Sequence, residues 1–110
     1  MASELSSKSC RASQGNPRAL DDAQVLALLT QLPGWERVGG EILKTFSFKN
    51  YYETLAFVNA SAWVSHREDH HPDLEVGYNK CKVRYSTHSV GGLSESDFIC
   101  AAKLEKLFTL

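Results

Sequence analysis

Apolar and polar positions change period several times along this chain, and each change marks a new element. Val25, Leu26, Leu28, Leu29 and Leu32 recur at helical spacing. Asp21 and Asp22 stand just before them, as an N-cap and a negative first turn that suits the helix dipole. Pro33-Gly34 stops that helix. Residues 35–38, the pair Gly39-Gly40 and residues 41–48 then read as a β-hairpin, because tight primed turns need positive φ. Ile42, Lys44, Phe46 and Phe48 alternate with Leu43, Thr45 and Ser47, which is strand periodicity.

Asn50 is the predicted N-cap of a longer helix running to about Arg67. Tyr51, Leu55, Val58 and Ala62 form one apolar stripe, and Phe57, Ala60, Trp63 and Val64 widen it. An arc that wide calls for two neighbours, the sheet and a second subunit, and Trp63 is read as core. Pro72 ends the helical period, since the residue before proline is pushed towards extended geometry. Leu74, Val76 and Tyr78 alternate with Asp73, Glu75 and Gly77. Asn79-Lys80 is read as a turn and residues 81–88 as the partner strand, with Val83, Tyr85 and Thr87 on one face and Lys82, Arg84, Ser86 and His88 on the other. Ser94-x-x-Asp97 resembles a capping box at the start of a last helix, whose apolar side is Cys100, Ala101, Leu104, Leu107 and Phe108. The order α-β-β-α-β-β-α predicts an α+β fold: a four-stranded antiparallel sheet with three helices packed on one face.

Composition narrows the function. The chain has 110 residues, 43% of them hydrophobic, and a net charge of -1. That fits one globular domain and gives no electrostatic footprint for direct nucleic-acid binding. No apolar run reaches the roughly 20 residues needed to span a bilayer, so no membrane partner is expected. Residues 1–19 are Ser-rich, lack the apolar run of a secretory signal and are expected to form a disordered tail, with the folded domain at residues 20–110. Cytoplasmic placement is the expectation. Nuclear placement is the alternative, or an organelle if the tail is a transit peptide. Cys10, Cys81 and Cys100 contain no C-x-x-C pair, so thiols in a reducing compartment are expected rather than a disulfide framework.

All four histidines lie between His66 and His88. Counting outwards from the Asn79-Lys80 turn sets Pro72 opposite Thr87 and His71 opposite His88, so His70, His71 and His88 converge. Three readings of that convergence compete. Metal binding is weakened because adjacent histidines on an extended chain point to opposite sides, and no H-E-x-x-H pattern is present. Structural histidines at a helix C-terminus are the second reading. Metal-free acid–base catalysis is the third, since imidazoles titrate near neutral pH. His66 is read as a bystander on the helix. Trp35 is read either as core or as a ring packed on a flat ligand.

Asp69-His70-His71-Pro72, Tyr78-Asn79-Lys80, Ser86-Thr87-His88 and Gly92-Leu93-Ser94-x-x-Asp97 together resemble the pterin-4a-carbinolamine dehydratases. Gly34-Trp35 and Phe46-x-Phe48-Lys49-Asn50-Tyr51 resemble the same family. The resemblance implies dehydration of 4a-hydroxytetrahydropterin to quinonoid dihydropterin, without metal or organic cofactor. It implies that His70, His71 and His88 are catalytic. His71 and His88 would be the acid–base pair, and His70 would assist or position the hydroxyl. Asp69, Ser86, Thr87, Asp97 and Trp35 would bind or orient the pterin. The implied partners are the pterin substrate, an aromatic amino-acid hydroxylase coupled through it, and further copies of the chain in a homodimer or homotetramer. The alternative function is a transcriptional coactivator that binds a partner through its helical surface.

Overall fold

The computed structural model describes residues 5–10 and 18–109. Helix α1 (Asp22–Leu29) opens on the expected cap: Asp21 Oδ1 accepts from the Gln24 N–H at 2.8 Å, and the Gln24 side chain accepts from the Asp21 N–H at 2.9 Å. Strands β1 (Glu36–Val38) and β2 (Glu41–Ser47) form the first hairpin, with Val38 opposite Glu41 across Gly39, whose φ is 59°. Helix α2 (Tyr51–Glu68) is capped by the Asn50 side chain, which accepts from the Glu53 N–H at 2.9 Å. Strands β3 (Asp73–Val76) and β4 (Lys80–Tyr85) make the second hairpin, and α3 (Glu95–Lys106) closes the domain.

The sheet is antiparallel throughout, in the order β1-β2-β4-β3. Ile42, Phe46, Cys81, Val83 and Tyr85 line its covered face. Phe57 of α2 and Phe98, Ile99, Ala101, Ala102 and Leu104 of α3 complete the core against them. Thr45, Lys82, Arg84 and Ser86 remain exposed or half-buried on the opposite face. This is the α+β architecture that the order of elements predicts.

Four local details differ from the sequence reading. The second hairpin turns at Tyr78-Asn79, one residue early, because the Gly77 N–H donates to the Lys80 carbonyl at 2.8 Å. Asp73 therefore faces Arg84 and Val76 faces Cys81. The register expected for His71 and His88 is offset by two residues. A slip of two keeps each side chain on its face, so Val83 and Tyr85 face inward and Lys82 and Arg84 outward, as the alternation predicts.

Next, β4 stops at Tyr85. Thr87 bridges to Gly92, with the Thr87 N–H donating to the Gly92 carbonyl at 2.7 Å, and His88–Val90 is a 3₁₀ turn closed by Gly91 at φ 69°. His88 therefore belongs to a turn rather than to the strand. Third, Trp63 is 69% exposed, and Tyr51 and Ala62 are exposed as well, so the outer part of the apolar arc on α2 is not core.

Last, residues 5–10 of the expected tail pack against the domain. Leu5 and Cys10 are buried, the Cys10 N–H donates to Glu68 Oε1 at 2.8 Å, and Lys103 Nζ donates to the Ser6 carbonyl at 2.8 Å. The few apolar side chains of that segment fill a groove between α2 and α3 that Ser-rich composition conceals. The rest of the expected tail, residues 1–4 and 11–17, lies outside the described residues. Among the described residues, no helix is long and apolar enough to cross a membrane.

Candidate active site

Asp97 organises the histidine region. It occupies the third position of α3 and is fully buried. Its Oδ2 accepts from the Ser94 N–H at 3.0 Å, which caps the helix, and from the Thr87 hydroxyl at 2.8 Å. Its Oδ1 lies 2.6 Å from His70 Nε2. A hydroxyl has one proton, and Thr87 directs its own at the carboxylate, so the Ser94 hydroxyl, 2.7 Å away, donates to Thr87. A carboxylate only accepts, so His70 keeps a proton on Nε2 in both its charge states. Nδ1 is then the nitrogen that titrates.

His70 itself is placed by the end of α2. Asp69 caps that helix in the left-handed region at φ 52°, with its N–H on the Ser65 carbonyl, and the His70 N–H donates to the same carbonyl at 3.2 Å. Asp is one of the few non-glycine residues that accepts this conformation readily. The reversal turns the imidazole inward, where it stacks on the Tyr85 ring at 5.8 Å between centroids and 9° between planes. Burial pulls the His70 pKa down, but the hydrogen bond and charge of Asp97, with help from Cys10 and Asp69, outweigh it and leave it above the ordinary value.

The structure thus brings together His70, Thr87 and Asp97 from the expected set. His71 and His88 are exposed, and among the described residues no hydrogen bond or ion pair joins either to His70. The His71 ring nitrogen Nδ1 is 3.4 Å from the neighbouring Pro72 carbonyl. Asp69 is exposed beside them and Ser86 is half-buried on the uncovered side of the sheet.

Two of the expected binding residues take other places. Trp35 is only 6% exposed, edge-on to Phe46 and tilted against Tyr85, and its indole N–H donates to Glu105 at 2.9 Å. It is core, one ring behind Tyr85, and offers no open face to a flat ligand. Asp97, with both oxygens engaged, orients His70 instead of facing a substrate. Among the described residues, no three His, Cys, Asp or Glu side chains are grouped so as to hold a metal ion.

The sequence reading missed Ser94 and Tyr85 as parts of this region. Ser94 is legible as a cap and as part of the Gly92-Leu93-Ser94-x-x-Asp97 motif, neither of which assigns it to the site, and Tyr85 shares a strand face with Thr87, which is the available signal.

Comparison with known proteins decides the family. A sequence model described as pterin 4 alpha carbinolamine dehydratase matches residues 18–107. The chain belongs to the pterin 4 alpha carbinolamine dehydratase family. A relative from Nitrosospira multiformis, which carries the provisional name pterin-4-alpha-carbinolamine dehydratase, is 57% identical over 97% of this chain and 95% of its own. A relative from Xanthomonas campestris with the same provisional name is 58% identical over 90% of this chain and 86% of its own. The crystal structure of a transcriptional coactivator/pterin dehydratase from Brucella melitensis superposes with a TM-score of 0.78 at 30% identity, covering 80% of this chain and 96% of that one. Within this dehydratase-family fold, the matched region contains all four sides of the Asp97 network: Ser94, Thr87, His70 and the carboxylate itself.

A histidine whose pKa is raised on folding adds stability below its unfolded pKa, roughly 6.5, and that stability is lost as pH rises through the folded value. Asp97→Asn is therefore expected to cost about 1.5–3 kcal/mol near pH 5.5, the range for hydrogen bonds to charged groups, and less near pH 9. Urea denaturation at the two pH values checks this. An equal loss at both would mean that the Asp97 charge is not coupled to His70.

Proposed function

We propose that this chain dehydrates 4a-hydroxytetrahydropterin to quinonoid dihydropterin, with His70, His71 and His88 handling the protons. The reaction breaks the C4a–O bond and forms a C4a=N5 double bond. The hydroxyl leaves as water and takes one proton, while N5 gives up another. Each transfer needs a group that titrates near the working pH. The nitrogen lone pair supplies the electrons, so the reading calls for no metal and no organic cofactor.

The observation that supports this reading best is the His70–Asp97 pair, 2.6 Å apart, in a chain of this family. It changes the division of labour expected from the resemblance. His70, fixed through Nε2 and favoured in its charged form, is the better proton donor to the departing hydroxyl, through Nδ1. His71 and His88, exposed to water, suit removal of the N5 proton and its return to solvent. Asp69 and Ser86 are the groups that orient the pterin, whereas Thr87, buried and bonded to Asp97, acts by holding that carboxylate. The substrate is supplied by a pterin-dependent aromatic amino-acid hydroxylase, with which the chain is functionally coupled.

Exposed Tyr52 and Trp63 on α2 support self-association into a homodimer or homotetramer through that face. The Brucella relative is described as a transcriptional coactivator as well as a dehydratase, which supports a coactivator role as the second reading, with the exposed α2 face as the partner surface. Either use is compatible with the catalytic reading, and both suit a chain working in the cytoplasm.

In a hydroxylase-coupled assay of pterin recycling, His70→Ala, His71→Ala and His88→Ala are each expected to lose about 100-fold or more of the acceleration while remaining folded. Asp97→Asn should move the falling alkaline limb of the pH profile to lower pH, because the acid loses the charge that holds its proton. Full activity in all three histidine variants would remove the site assignment. Light scattering at micromolar concentration should show an oligomer that Trp63→Glu dissociates; a monomeric wild-type chain would remove the proposed interface.

A further inference from the structure

The described N-terminal segment holds a buried group that the dehydration chemistry does not use. Cys10 Sγ lies 3.5 Å from Cys100 Sγ, and both side chains are fully buried. The two residues are 90 positions apart, so the contact joins the N-terminal segment to the middle of α3. Cys10 Sγ is also 3.5 Å from the Ser96 carbonyl, and the Cys10 N–H is held by Glu68 Oε1 at 2.8 Å. Glu68 ends α2, directly before Asp69 and His70. Cys100 sits one helical turn beyond Asp97. The thiol pair thus spans the two elements that position the His70–Asp97 contact.

From this juxtaposition we propose that Cys10 and Cys100 are a reversible oxidation site, closing to an intramolecular disulfide that fastens the N-terminal segment onto α3. The oxidant class is a peroxide. The Cys10 thiolate attacks one peroxide oxygen, the O–O bond breaks and hydroxide leaves, giving a sulfenic acid. The Cys100 sulfur then displaces the sulfenic hydroxyl, which departs with the Cys100 proton as water. Two thiols and one hydrogen peroxide give one disulfide and two waters. A small dithiol reverses the step by exchange.

The chemistry of the pair assigns the order of events. The hydrogen bond from Cys100 holds the Cys10 thiol below the ordinary cysteine value against the effect of burial, while the same bond and burial push Cys100 up. Cys10 is therefore the attacking sulfur and Cys100 the resolving one. The sulfurs must close by about 1.5 Å to reach bonding distance. Local opening of the residue 5–10 segment closes that distance and admits the oxidant. Cys81, the third thiol, is buried on the covered face of β4, opposite Phe46.

The test is stoichiometric hydrogen peroxide added to the full chain, followed by denaturation, alkylation and peptide mapping. The expected product is a monomeric chain that has lost two hydrogens, retains Cys81 as its one alkylatable thiol, and yields a peptide joining Cys10 to Cys100. Oxidation should raise Tm by about 4 °C or more, as expected for a cross-link worth at least roughly a kilocalorie in a domain of this size, and dithiothreitol should return it. Cys10→Ser and Cys100→Ser should each abolish both the cross-link and the Tm shift, whereas Cys81→Ser should keep them. Three alkylatable thiols after peroxide, a bridge that includes Cys81, or cross-linking only between chains would each overturn the proposal. None of these readouts depends on pterin turnover, so the result stands apart from the proposed function.

Discussion

A fully buried carboxylate is tolerated only when donors surround it, and Asp97 meets that condition with groups from three parts of the chain. The Ser94 N–H comes from the start of α3, the Thr87 hydroxyl from the exit of β4, and His70 from the link between α2 and β3. Each donor fixes the position of the element that carries it. The helix cap and the organisation of the histidine region are therefore one interaction. The same constraint ends the regular strand after Tyr85, because Thr87 must turn its hydroxyl to the carboxylate while its backbone closes on Gly92.

The consequences extend to both sides of the sheet. His70 faces inward onto Tyr85, and behind that ring Trp35 and Phe46 continue an aromatic layer down to Phe57. His71, the next residue, is exposed, as is His88 at the start of its turn. Adjacent residues on extended chain point in opposite directions, so one dipeptide supplies an imidazole held by protein and another open to water. That separation is what the proposed dehydration needs, since one proton must be delivered to a departing oxygen and another exchanged with solvent. The buried carboxylate gives one histidine a protonation behaviour distinct from its neighbours'.

Much of this was legible from residue order because it depends on local rules. Asp21, Asn50 and Ser94 announce their helices through side chains that satisfy the first backbone N–H groups, and Gly39-Gly40 announces its turn through positive φ. Ser94-x-x-Asp97 was readable as a cap, but its second duty depends on where Thr87 and His70 arrive in space, which no spacing rule states. The second hairpin was read with its turn one residue late because Tyr78-Asn79 and Asn79-Lys80 are both acceptable turn pairs, and only the bond from Gly77 to Lys80 separates them. Trp63 was assigned to the core because periodicity reports an apolar face without reporting what covers it. Leu5 and Cys10 were assigned to a tail because isolated apolar residues in a Ser-rich stretch carry no period, although a groove between helices can bury them. Trp35 remained ambiguous until its partners, Glu105 and Tyr85, were placed.

Asp97 holds His70 through Nε2 and favours its charged form. Nitrogen-15 NMR of the imidazole rings through a pH titration measures both properties at once. His70 is expected to titrate above the ordinary histidine value of roughly 6.5, with the proton of its neutral form on Nε2. Titration of His70 at or below that value, or a neutral form protonated on Nδ1, would contradict it.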